Sequence, residues 1–411
     1  MLSSEVYTEP VILYSDIFCS NTNTFLQSFK DIQNTNLFNG TQINFRIHDR
    51  KRRDKLNPIV KFATQEDADE IINIYKDIYE NTYPYKEMED KKEVCRMINS
   101  PNVEWLVFKT PDDETVGCFT FILNFEDKMG YLRGLNLKKN NLGKIDVLKA
   151  TISSFITMYR KYEGKILRWY GESRTAHTNS QYTLGAGGFK AVAFFPNKDV
   201  FYNKVESDIL LISYDERALK EYRSTRKPRI LPTVENCFVY SDLRYSLGDY
   251  AIETPNIRLN HLKMAELEKK LDLESSQDKF GYVDVKFSFK DSDSYFSFLY
   301  TPQVQNFEKT KFKVKNLEEL QVFIQEFIKY ADIYNVRYLE TYVSAYNPFY
   351  QKLFENAGLK PNGYIPSWRF NKKENKFEDA ILFNHNKGKI DKDIKLLDEG
   401  KELLRCLSYM T

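Results

Sequence analysis

Apolar positions recur along this chain with two periods, and their alternation lays out strands and helices from residue 59 onward. Ile59-Val60-Lys61-Phe62-Ala63 reads as a strand. Thr64 with Asp67 three residues later makes a capping-box-like helix start. That helix carries Ala68, Ile71, Ile72, Tyr75, Ile78 and Tyr79 on one face, the 3.6-residue period of an amphipathic helix. A second helix is predicted across 89–98, then strands over 104–109 and 116–124 around the turn Pro111-Asp112-Asp113. A strand over 131–137, the polar loop 138–143 and a helix over 144–161 follow, with Leu148, Ile152, Phe155, Ile156 and Tyr159 on the apolar side. Strand, polar glycine loop, helix is an order that turns free backbone N–H groups toward an anion. A strand over 166–172 comes next, and 209–214 closes this half.

The second half predicts strands over 281–289 and 294–301, a helix over 317–332, a strand over 336–343, a helix over 348–357 and strands over 360–369 and 378–383. A final helix over 392–409, with Ile394, Leu397, Leu404 and Leu407, is expected to seal the domain. One segment occurs twice at an offset of 170 residues: Gly188-Phe189-Lys190 with Phe194-Phe195-Pro196 recurs as Gly358-Leu359-Lys360 with Tyr364-Ile365-Pro366. Upstream, Ile166 and Trp169 answer Val336 and Leu339, so two copies of one αβ unit are implied. The domains expected are an N-terminal arm or added edge element (1–56), a first domain (57–215), a basic connector (216–234) and a second domain (235–411).

Composition supports this layout. A length of 411 residues fits two or three domains, because single cores stop growing near roughly 250 residues. Aromatic content of 15%, with 28 Tyr and 30 Phe, is enough for sizeable cores, and 13 Pro with 16 Gly is too little for a linker-rich chain. Sixty basic against 58 acidic side chains leave a net charge of +2, which gives no general drive toward nucleic acid or a membrane surface, and neither partner is expected. The basic run from His48 to Lys55 reads as a solvated linker or a phosphate-binding patch. Five widely spaced cysteines without a CxxC pair support neither a disulfide framework nor a zinc site, so no metal is expected and a reducing cytoplasm fits best. No stretch approaches the roughly 18 apolar residues of a membrane span.

The element order across 59–214 resembles the GNAT superfamily of acyl-CoA-dependent N-acyltransferases. Where that family carries Gln/Arg-x-x-Gly-x-Gly/Ala, this chain has Asn140-Asn141-Leu142-Gly143-Lys144-Ile145, keeping the first Gly. The resemblance implies an α/β fold built of two tandem GNAT-like domains, each a mixed, mostly antiparallel sheet flanked by helices. It implies acetyl-CoA, or another acyl-CoA, as co-substrate at Leu137, Lys138, Lys139, Asn141, Leu142, Gly143 and Lys144. The residues themselves permit an anion site: Gly143 allows close backbone approach, the helix N-terminus is electropositive, and three lysines add charge. They also permit a plain capping turn with a solvated lysine fringe.

The family's second signature, Asn-x-x-Ala-x-x-Leu-Tyr-Glu-x-x-Gly-Phe, is kept in the second half from Asn347 through Leu353 and Glu355 to Gly358-Leu359. In the first half the same register gives His177, Leu184 and Gly188-Phe189. The family's tyrosine, which protonates the departing thiolate, is replaced by Leu184 and Phe354, and neither can donate a proton. A thiolate leaves tolerably well unaided, its reference pKa being about 8.5. Candidate bases for the attacking amine are Glu172, at a strand end, and His177, in the following turn; a surface charge and a helix-start residue are the competing readings. Tyr83 and Tyr85 stand where the family places its mobile loop over the acceptor, and read as substrate wall or surface packing. In the second half Glu318 and Glu319 open the helix that would receive a diphosphate, which they repel. The expected function is therefore transfer of an acyl group to a primary amine of a small molecule or peptide at the first domain, the second being degenerate. A non-catalytic acyl-CoA-binding or scaffold protein is the alternative.

Overall fold

A computed structural model describes residues 10–18, 21–32, 40–48, 55–391 and 393–410. Most of the basic run, residues 49–54, lies outside these. The chain forms two compact units: Met1–Glu172, Asn179–Lys190 and Leu211–Arg217 make unit 1, and Ser173–Thr178, Ala191–Leu210 and Ala218–Thr411 make unit 2.

Unit 1 begins with short elements, β1 (Val11–Ile12), α1 (Tyr14–Ile17), α2 (Thr22–Ser28) and β2 (Arg46–Ile47). β3 (Ile59–Phe62), α3 (Ala68–Tyr79), α4 (Lys91–Ile98), β4 (Val103–Lys109), β5 (Thr115–Asn124), β6 (Met129–Leu137), α5 (Val147–Lys161), β7 (Arg168–Arg174) and α6 (Asn179–Gly185) follow. β3 to β6 are neighbours in sequence order and antiparallel, and β6 pairs with β7 in parallel. A parallel pair needs a crossover, which α5 supplies with Leu148, Ile152, Phe155 and Ile156 buried. The predicted start of α3 is present: the Thr64 N–H donates to Asp67 Oδ2 at 2.8 Å.

The segment before residue 57 is more than an arm. Phe25, Phe29 and Phe45 are fully buried, and the Phe25 ring lies 5.4 Å from that of Tyr159 on α5. Arg160 at the end of α5 donates to the carbonyls of Phe29 at 2.7 Å and Ile32 at 2.8 Å. Polar composition hid this, because three phenylalanines carry the attachment.

β8 (Lys190–Phe201) and β9 (Lys204–Tyr214) follow, with α7 (Glu216–Lys220), β10 (Arg229–Ile230), α8 (Glu235–Tyr245), β11 (Ala251–Ile252) and α9 (His261–Lys270). The chain continues through β12 (Leu271–Gln277), β13 (Val283–Phe289), β14 (Tyr295–Thr301), β15 (Asn306–Lys313), α10 (Leu317–Ile333), β16 (Tyr338–Ser344), α11 (Pro348–Asn356), β17 (Lys360–Asn371), β18 (Lys376–Asn386) and α12 (Asp398–Cys406). In unit 2, β12 to β15 are antiparallel neighbours, β15 and β16 are parallel, and β18 lies between β16 and β17. The antiparallel meander followed by a parallel pair thus occurs in each unit. β7 and β16 start 170 residues apart (168 and 338), as do β8 and β17 (190 and 360).

The units do not divide at the expected boundaries of 215 and 235. Residues 191–210 belong to unit 2, because β8 pairs with β17 at Ala193 opposite Gly363. A Cβ on Gly363 would lie 2.3 Å from that of Ala193, so only glycine permits the approach. The connector is docked as well as basic. Arg223 binds Asp379 Oδ2 at 2.6 Å, and the same carboxylate, fully buried, accepts from Tyr364 Oη at 2.5 Å and the Ser367 N–H at 2.9 Å. Arg217 pairs with Asp215, Arg226 with Glu378 and Arg229 with Glu253.

Asp379→Ala should cost about 3–5 kcal/mol, because it leaves the Arg223 guanidinium and the Tyr364 hydroxyl buried without their acceptor. Arg226→Ala, which breaks a half-exposed pair on the same connector, should cost under about 1 kcal/mol. Denaturant titration of the two variants checks the contrast.

Candidate functional site

The parallel pairing of β6 with β7 is short. It runs from Met129 opposite Arg168 to Leu132 opposite Gly171 and stops, although β6 continues to Leu137 and β7 to Arg174. The cause lies on the other edge of β6. Cys118 pairs with Asn136 and Thr120 with Arg133, so Gly134 and Leu135 together oppose Phe119 in a bulge. Gly134 has φ +62°, in the left-handed region. A bulge bends the strand that carries it, and beyond Leu132 and Gly171 the two strands run on unpaired, a wedge in the pairing.

Tyrosines from α3 and the loop after it stand beside the bulge. An ideal Cβ on Gly134 would sit 1.9 Å from Tyr75 Oη and 3.5 Å from Asn136 Nδ2. The Tyr83 ring lies 5.0 Å from Tyr75 and 4.4 Å from Tyr79, and Tyr85 lies 5.6 Å from Tyr83. Arg133 pairs with Glu87 at 2.8 Å and stands 4.9 Å over the Tyr85 ring. Asn136 Oδ1 accepts from Tyr79 Oη at 3.4 Å. Burial, then Tyr83 and Cys118, push the Tyr75 phenol well above its ordinary pKa, so it stays protonated. Burial likewise pushes the Cys118 thiol up to about 12, which leaves no thiolate there at neutral pH.

Of the residues singled out from the sequence, Tyr83 and half-buried Tyr85 come together here. Glu172 stands on β7, one residue beyond the last paired position, Gly171. His177 belongs to unit 2. His177 is exposed, yet desolvation first and then the Arg174 guanidinium hold its imidazole below its ordinary pKa. Leu184 and Phe354 are buried apolar residues. The second-half signature does structural work: Asn347 Oδ1 accepts from the Tyr350 N–H at 3.2 Å to cap α11, and Gly358 takes φ +88° just past its end.

The loop from Leu137 to Lys144 is more engaged than its composition suggests. Gly143 has φ +82°, a Cβ placed on it would meet only open space, and Leu142 and Lys144 are exposed. Lys138 pairs with Glu70 at 2.9 Å and Lys139 with Glu80 at 2.5 Å. The Lys139 N–H donates to Asp77 at 2.7 Å. The N–H groups of Asn141, Leu142, Lys144 and Ile145 all donate to carbonyls of the same loop, and Asp146 caps α5 by accepting from the Lys149 N–H at 3.2 Å. The equivalent place in unit 2 is acidic: Glu318 pairs with Lys263 at 3.1 Å, and Glu319 accepts from the Lys315 N–H at 2.7 Å.

Sequence reasoning missed Tyr75, Tyr79, Arg133, Gly134 and Asn136. The two tyrosines, at i and i+4 on α3, look like core, and Gly134 inside a strand pattern was the available sign of a bulge. Among the described residues no group of His, Cys, Asp and Glu is placed to hold a metal ion, and no helix is long and apolar enough to cross a membrane.

No family model matches this chain, and no curated protein matches it. Solved structures do. Spermidine N-acetyltransferase from Vibrio cholerae is similar at 10% identity over 39% of this chain and 95% of that one, with a TM-score of 0.33. Ribosomal-protein-S5-alanine acetyltransferase from Vibrio fischeri is similar at 14% identity over 40% and 96%, also at 0.33. Both neighbours are GNAT acetyltransferases, the superfamily that the sequence resembles.

Gly134→Ala should destabilise the protein by roughly 1–3 kcal/mol, from the left-handed backbone and the collision with Tyr75. Adding Tyr75→Phe should restore part of the loss, because the first atom met is the hydroxyl. Urea denaturation of the single and double variants measures the coupling.

Proposed function

We propose that this protein is an acyl-CoA-dependent N-acyltransferase whose working site is the wedge between β6 and β7 of unit 1, with acetyl-CoA as co-substrate and a primary amine of a small molecule or peptide as acceptor. The observation that supports it most is the end of the parallel pairing at Leu132 and Gly171, next to the Gly134 bulge. Beyond that point β6 offers its backbone from Arg133 to Leu137 to an extended ligand arm, as an added strand would use it. At the far end, Gly143 leaves room for a diphosphate and exposed Lys144 supplies charge. When bound, the co-substrate supplies an acyl group activated as a thioester.

The chain's own residues do the rest. Glu172 on β7 accepts the proton that the attacking amine must lose. Tyr83 and Tyr85 wall the acceptor side, and Arg133 holds Tyr85 in place. Cys118, protonated and buried, is no nucleophile, so the acyl group passes directly to the amine. Unit 2 is a degenerate second copy that serves as structural partner, since acidic residues open α10. The four described cysteines are free, which suits a cytoplasmic setting.

A second reading, a non-catalytic acyl-CoA-binding or scaffold protein, draws on the 138–146 loop, whose amides and lysines are largely engaged within the protein. Turnover separates the two: thiol release from acetyl-CoA with an amine panel supports the enzyme, and binding without release supports the scaffold. Calorimetry with acetyl-CoA should give heat with the wild type. Gly143→Glu should abolish that heat by charge and backbone strain, while Gly143→Asn, which tolerates the left-handed region, should keep it. No heat with the wild type at high concentration would sink the cofactor assignment.

A further inference from the structure

Two polar groups at the bulge have no hydrogen-bond partner although they are buried: Tyr75 Oη and Asn136 Nδ2. Tyr75 is fully buried and Asn136 is 5% exposed. Both point at Gly134, as the distances of 1.9 and 3.5 Å from its would-be Cβ show. Both carry a hydrogen to donate. The Asn136 carboxamide already uses its oxygen to accept from Tyr79, so its NH2 faces the bulge as donor. The Tyr75 hydroxyl stays protonated in this dry surrounding. An unpartnered buried donor is costly to a fold, and these two stand beside one glycine, where a shared acceptor would satisfy both.

We propose that Tyr75 and Asn136 form a side-chain oxyanion seat that binds the carbonyl oxygen of the acyl donor at the β6 bulge. The seat rests on the acyltransferase reading above. Two convergent neutral donors recognise one oxygen, and they gain strength as that oxygen takes on negative charge in a water-excluded place. In the reaction the amine nitrogen forms a C–N bond to the acyl carbon and the C–S bond breaks. The carbonyl electron pair moves onto oxygen and returns, sulfur leaves with the C–S pair as thiolate, and the amine's proton passes to the Glu172 carboxylate. Tyr75 and Asn136 lose no proton; they hold the oxygen while it carries charge. Gly134 is the residue that lets them reach it, since any side chain would occupy the place of the hydroxyl.

The test compares acetyl-CoA with S-ethyl-CoA, which lacks the carbonyl, by calorimetry on the full chain, and records the infrared carbonyl stretch of bound 13C-acetyl-CoA. Wild type should prefer acetyl-CoA by roughly three- to tenfold and lower the carbonyl frequency. Tyr75→Phe should erase the preference and most of the frequency shift, lower kcat by roughly 10²-fold, and raise the Tm, because it removes an unpaired buried hydroxyl. Asn136→Leu should do the same to the spectrum. If wild type binds both ligands equally with an unshifted carbonyl, the seat is overturned while acyl-CoA binding stands. If it binds neither, the acyltransferase reading falls and takes the seat with it. A lower Tm in Tyr75→Phe with the preference intact would make Tyr75 a packing residue and overturn the seat.

Discussion

Four residues of parallel pairing between β6 and β7 are the constraint on which unit 1 depends. A parallel pair cannot be closed by a tight turn, so the chain must leave β6, cross by a helix and return, and α5 is that crossover. The pairing also ends early, two residues before Gly134 in the bulge. Early divergence places two strand edges beside each other without joining them. The tyrosines of α3 stand beside the Gly134 bulge, and Glu172 follows the last paired residue of β7.

Unit 2 meets the same constraint with a different outcome. β15 and β16 pair only at Asn306–Tyr338 and Phe307–Leu339 before parting, and α10 is the crossover. Here resident charges fill the face where the strands separate. Lys198, 2% exposed, lies 3.3 Å from Glu340 and 4.0 Å from Glu308, and Tyr338 Oη donates to Glu340 at 2.8 Å. Thr310 adds a bond to the Glu340 carbonyl at 2.5 Å. Such a buried cluster is weak evidence for stability, since desolvation offsets much of the attraction, but removal of one partner would be severe.

Much of this was legible in the sequence, for identifiable reasons. Helix and strand periods survive wherever one face is buried, so α3, α5, α10 and α11 fall where their apolar stripes predict them. The duplicated segment at an offset of 170 announced the pairs β7/β16 and β8/β17. What the sequence hid is non-local. β15 escaped notice because alternating lysines in Lys309, Lys311 and Lys313 mask a strand that is buried on its other face. The assignment of β8 to unit 2 depends on Gly363 meeting Ala193, two residues that no local pattern connects. The lysine-rich loop looked like an anion cradle because its acidic partners, Glu70, Asp77 and Glu80, stand 59 to 68 positions earlier on α3 and just past its end.

The two units can be told apart by the sign of the charge beside their splayed strands. In unit 1 the unpartnered groups at the bulge are both donors, and the neighbouring ion is the Arg133 guanidinium with its Glu87 partner. In unit 2 the donors already face a carboxylate: Tyr338 and Lys198 both serve Glu340, and an arriving carbonyl would have to displace a full negative charge. Asn306 lacks partners there as well, but it stands two positions before Glu308 on the same face of β15, where an oxygen gaining charge would be repelled. Both units end a short parallel pair after an antiparallel meander. On the proposed acyltransferase reading, the few side chains beside each pair of strands decide between the units, and the donors at the Gly134 bulge favour unit 1.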